Sequence, residues 1–176
     1  GRLWFASLWS NPVGLTVLYG AMLGHFALSL WSLYRRRALK LSRWEWAQWI
    51  LGASIIPLGV VHVVGTRLAE TLYDVQSGYP WVLGSLVAGG WPGILRQFSL
   101  PLVVWMHGCI GLHFALRLKP WYRDWLPLLY GLALLIPAAS LAGAAVALRD
   151  VAELAQRPGF LEQLFERAHI PAPTQI

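Results

Sequence analysis

The chain has 176 residues, of which 57% are hydrophobic and only 12% charged. Soluble domains carry about 25% charged residues, so a soluble globular enzyme is excluded and a membrane class is expected. The net charge of +6 does not indicate nucleic acid, because the basic residues gather beside apolar segments, where cytoplasmic loops of membrane proteins carry them.

Crossing the hydrocarbon core takes about 20 apolar residues in a helix. Four segments qualify: 13–34, after the breaker Asn11-Pro12, then 46–68, 98–116 and 125–148. The expected fold is an all-α polytopic membrane helix bundle with four transmembrane helices and a C-terminal amphipathic helix. Pro57, Pro101, Pro127 and Pro137 fit inside such helices, where neighbours can satisfy the freed carbonyls. Arg35, Arg36, Arg37, Lys40 and Arg43 in the first loop, and Arg117, Lys119 and Arg123 in the third, place both loops in the cytoplasm. The loop 69–97 holds Glu70 and Asp74 and is expected outside. Within it, 81–87 is apolar but too short to span, and Gly89-Gly90 breaks it, so an interfacial or re-entrant turn is expected there. Trp44, Trp46, Trp49, Trp81, Trp91, Trp121 and Trp125 fall near helix ends, as an aromatic belt would.

Both chain ends then lie outside. Residues 1–150 form the bundle. The tail, 151–176, places Leu161, Leu164 and Phe165 at helical spacing and reads as an amphipathic helix on the outer surface, ended by Pro171-Ala172-Pro173. His169 in this tail reads as an ordinary surface histidine. The single Cys109 excludes an internal disulfide or a cysteine-ligated cluster and reads as a buried thiol. The chain begins Gly-Arg, with no basic run before a short apolar core, so it reads as a fragment or processed product without a signal peptide.

Four of the five histidines, His25, His62, His107 and His113, sit inside the spans. A strongly polar side chain at bilayer depth is costly and marks a site by default, and neutral imidazole is a standard axial ligand of haem iron. At 1.5 Å per residue, His25 and His113 each lie about 20 Å below the outer face, and His107 about 9 Å above His113. His62 falls in the outer half. Two levels follow: His25 with His113, deeper, and His62 with His107, shallower. His107 and His113 point some 120° apart around their helix and need not serve one haem. Gly108, Gly111 and Gly24 would let a macrocycle or another helix approach the backbone. Trp105 and Phe114 would pack on a porphyrin. Arg67, Arg96 and Tyr73 at the outer end, or Arg117 and Lys119 at the inner end, would hold propionates. Arg67 would equally serve a quinone carbonyl or snorkel to the interface. Against all of this, a lone membrane histidine often only bridges helices.

The segment Trp105-Met-His-Gly-Cys-Ile-Gly-Leu-His-Phe114 resembles a signature of the membrane domain of certain bacterial class III adenylate cyclases. His62-Val-Val-Gly-Thr-Arg-Leu68, Leu18-Tyr-Gly-Ala-Met-Leu-Gly-His25 and Lys119-Pro-Trp-Tyr122 match the same domain, so the resemblance runs from Arg2 to about Asp150. It implies a six-helix domain similar to the cytochrome b anchors of succinate dehydrogenase and fumarate reductase. His25, His62, His107 and His113 would then be haem b ligands, one or two haems in all, in a bacterial inner membrane. A [2Fe–2S] domain and a cytoplasmic cyclase domain would follow, with a homodimer as the expected assembly. The family's first and last helices are missing here, and a histidine on a missing helix would replace any pairing drawn above.

Two functions compete. One is a membrane anchor and receptor domain of an adenylate cyclase, sensing quinone or membrane redox state through haem b. The other is a diheme cytochrome b electron-transfer subunit of a quinone-reactive dehydrogenase. A third, plainer reading is an anchor whose histidines only bridge helices, and the loop 69–97 would be the place for an external ligand. No catalytic centre is visible in this segment, which lacks a soluble α/β domain with metal-binding carboxylates.

Overall fold

The structure is a computed structural model that describes residues 7, 11–38, 40–73 and 78–167. Asp74, His169 and the Pro-Ala-Pro at 171–173 lie outside the described residues. The chain divides into two units, Gly1–Leu41 and Ser42–Ile176.

The first unit contains one long helix, α1 (Pro12–Tyr34). Asn11 caps it, its side chain accepting from the Gly14 N–H at 2.8 Å, and Pro12 follows at the first helical position, where a missing N–H costs nothing. His25 is exposed on this helix.

The second unit holds the remaining helices. α2 runs Arg43–Val63, passes through a π-helical turn at Val64–Leu68 and ends as Ala69–Tyr73. Its start is earlier than the apolar run indicates, because Ser42 and Glu45 form a capping box: Glu45 N–H donates to Ser42 Oγ at 3.3 Å and Ser42 N–H to Glu45 Oε2 at 2.9 Å. α3 runs Tyr79–Leu116 and bends at Gly90, whose φ of 58° and ψ of −157° are not helical. The segment 79–97 is therefore helical and not a loop, a correction to the sequence reading. The Gly89-Gly90 break is present as a bend, and the helix resumes at once because Pro92 stands near the start of the second arm, where it needs no N–H. α4 runs Pro120–Ala155, and α5 is the short helix Phe160–Arg167. No strand occurs among the described residues.

α1, α2, α3 and α4 are each long and apolar enough to cross a membrane, and the protein is an all-α polytopic membrane protein. α4, with 36 residues, would measure about 54 Å against a hydrocarbon core of about 30 Å. The helix therefore extends beyond the core, and in its last turns Arg149 meets Asp150 at 3.4 Å and Glu153 at 3.9 Å. Both pairs are exposed and add little stability.

α3 packs between α2 and α4. The best buried side chains lie at opposite ends of α3. At one end, Leu83 and Leu86 in the arm before Gly90 are only 7% and 6% exposed, under α5. The amphipathic tail helix thus exists, and its apolar face closes on this arm, with Leu164 seated over Gly84. At the other end Tyr122, 5% exposed, sits at the start of α4.

Candidate cofactor site

Two of the four span histidines stand on α3 six residues apart, and each turns to a different neighbour. His107 faces α2. Its Nδ1 lies 3.2 Å from the Gln48 backbone oxygen, and its ring lies against Gly52, one turn further along α2. Glycine gives this approach its room, since a Cβ at position 52 would stand 3.0 Å from His107 Cε1, closer than ordinary van der Waals contact. The contact is reciprocal. A Cβ at Gly111 would stand 3.0 Å from Gln48 Nε2, so the Gln48 amide covers Gly111 while His107 covers Gly52. Each helix thus offers a polar side chain and, four residues on, a glycine. Gln48 Oε1 is buried with no hydrogen-bond partner among the described residues.

His113 faces α4. Its Nδ1 shares a hydrogen bond of 3.1 Å with the Tyr122 hydroxyl, and the two rings lie 5.7 Å apart. This bond closes the turn between α3 and α4. Arg117, exposed at that turn, lies with its guanidinium 5.3 Å from the Phe114 ring centre, so Phe114 already has a cationic neighbour.

His62 is exposed on α2 just before the π-helical turn. Its backbone oxygen accepts from Thr66 Oγ1 at 2.7 Å. The antiparallel contact fixes its level: His107 is opposite Gly52, and His62 lies ten residues beyond Gly52, about 15 Å further along α2. His62 and His107 therefore do not share a level, contrary to the depth count. That count measured from apolar-run ends, and both helices extend past them. Arg67 lies in the π-helical turn, half-buried. Arg96 and Gly108 are on α3, with open space around Gly108.

Trp105 is turned to α4, not to the His107 side. Its Nε1–H donates to the Ala133 carbonyl at 2.9 Å. That carbonyl is the one that residue 137 would occupy in an unbroken α-helix, and Pro137 has no N–H. Trp105 is thus the neighbour that satisfies the carbonyl freed by a proline.

Gln48, Gly52 and Tyr122 are the site residues that sequence reasoning missed. The signal available was a lone amide in an apolar helix with a glycine four residues on, matching His107 and Gly111 on α3. Among the described residues, no group of three or more His, Cys, Asp or Glu gathers as a polydentate metal site would require. Haem asks less of the protein, one imidazole per axial position. His107 fits that demand: a Nδ1–H held by a backbone carbonyl assigns the lone pair to Nε2, the usual arrangement of a ligating histidine. Searches against protein-family models, curated proteins and solved structures found no match for this chain.

Proposed function

We propose that this chain is the membrane receptor domain of a bacterial adenylate cyclase, binding haem b and reporting quinone or membrane redox state to a cytoplasmic cyclase domain, as a homodimer in the inner membrane. The observation that carries the reading is the His107 imidazole, held within a span by the Gln48 carbonyl, an arrangement that would leave Nε2 to coordinate. The resemblance around 105–114 adds the family. Bound haem would supply one-electron iron chemistry. His107 would hold it from α3, and His113, with Nδ1 on Tyr122, offers a second imidazole on the other side of the same helix. His62 and His25 complete the candidate ligand set. In the second unit no two of these imidazoles stand at one level on opposing helices, so the described helices of this unit offer each haem one axial imidazole. Arg67 and Arg117 at the two ends of the span are the candidate partners of propionates or of a quinone carbonyl.

The test is a reduced-minus-oxidised absorption spectrum of the haem-supplied membrane protein, with a pyridine haemochrome assay. A b-type α-band that weakens in His107→Ala is expected, and a well-folded preparation without haem would overturn the reading. The regulatory half is tested in the reconstituted cyclase: activity must change between reduced and oxidised haem. Coupling requires a ligand with different affinity for two states, and activity indifferent to redox state would leave the electron-transfer subunit as the better description.

A further inference from the structure

We infer that the Gln48–Gly52 turn of α2 positions His107 as a ligand: the Gln48 carbonyl sets the tautomer and Gly52 sets the direction of the ring. This rests on the haem reading above and names residues outside the histidine set. The Gln48 backbone oxygen lies 3.2 Å from Nδ1, and a backbone carbonyl can only accept, so the bond puts the proton on Nδ1. The coordinating lone pair then belongs to Nε2. The ring cannot hold this bond unless it lies nearly on the α2 backbone, and the bare Cα of Gly52 provides the room. A methyl there would stand 3.0 Å from Cε1 and 3.4 Å from Nδ1, so the bonded ring would have to shift by a few tenths of an ångström.

The reciprocal contact behaves differently. A methyl on Gly111 meets the end of the flexible Gln48 side chain, whose Oε1 has no hydrogen bond to lose. The two glycines look alike in sequence, each four residues after a polar group, yet only Gly52 constrains an imidazole.

The experiment compares Gly52→Ala with Gly59→Ala in the whole chain, haem-supplied and in lipid bilayers. Gly59 is on the same helix with nothing near its Cα, so its variant carries the same propensity change without the contact. Haem titration, low-spin EPR g values and midpoint potential are read for each. Loss of such an oriented partner typically costs about 10- to 100-fold in metal affinity. Gly52→Ala is expected to lose affinity in that range, with displaced g values and potential, while Gly59→Ala matches the parent. Histidine-selective nitrogen NMR of the reduced, diamagnetic parent gives a second readout that does not depend on the folding of Gly52→Ala, with His107 assigned by its loss in His107→Gln. It is expected to show the proton on Nδ1. A Gly52→Ala protein equal to Gly59→Ala, or a proton on Nε2, overturns the positioning role while haem binding stands. A parent that takes up no haem overturns the ligand role together with the function on which it rests.

Discussion

Single residues decide where polar groups go in a medium that offers no water. Pro137 frees the Ala133 carbonyl, and the indole of Trp105 takes it at 2.9 Å. Hydrogen bonds between membrane helices are worth about 0.6 kcal/mol on average and up to about 1.7. Trp105→Phe is therefore expected to destabilise the folded protein by about 1 kcal/mol in detergent unfolding. In a Pro137→Ala background the helix can satisfy its own carbonyl, and the same substitution should cost less than half as much. An unchanged cost in both backgrounds would separate the indole bond from the proline. Tyr122→Phe is a second case. It keeps the buried ring and removes the bond to His113, at an expected cost of about 0.5–1.5 kcal/mol. The sequence showed that Trp105 and His113 were special but not toward what. Their partners lie 28 and nine residues away and become adjacent only when α4 folds back along α3.

At the scale of elements, composition served well where one helix alone decides the outcome. The four spans follow from apolar length, and α1 from its Asn-Pro start. It served less well where a break and a restart adjoin. Gly89-Gly90 reads as a stop, yet the chain bends at one residue and continues helical on both sides. The Gly90 backbone, φ 58° and ψ −157°, lies in a region essentially closed to side-chain-bearing residues. Gly90→Ala should cost about 1–3 kcal/mol of stability, whereas Gly89→Ala, in helical backbone with open space around it, should be neutral or slightly stabilising. Equal thermal shifts in the two variants would remove the bend from the account. α5 has eight residues, well below the length of about 12–15 at which an isolated helix becomes even marginal in water. It therefore depends on its seat against α3. Leu164→Asp is expected to unseat it, and hydrogen exchange should then rise in 160–167 and in 82–87 together. Faster exchange in 160–167 alone would show that α5 does not protect the arm.

For the whole molecule, the positive-inside bias predicts a common side of the membrane for the basic turn 117–119 and the loop that holds Arg35, Arg36 and Arg37. With Cys109 replaced by Ala, single cysteines at Arg36 and at Lys119 should label from the same side of sealed vesicles, and one at Glu70 from the opposite side. Labelling of position 70 together with 36 would refute the four-crossing arrangement. The candidate site was legible as a set of residues and not as a geometry. Histidines at bilayer depth announce themselves by cost, but their levels depend on how α2 registers against α3. That register is set by Gly52 and Gly111 receiving His107 and Gln48, not by where the apolar runs end.

The turn at Val64–Leu68 closes its hydrogen bonds one residue later than an α-helix does, so it houses one residue more than a regular path would need. A single-codon deletion inside it would return α2 to even winding. Because the wide turn already absorbs that residue's share of winding, about 100°, the half that seats Gln48 and Gly52 and the half after Leu68, Glu70 and Tyr73 included, would both keep their faces. The spare residue is slack in the helix, which can be taken up without turning either half.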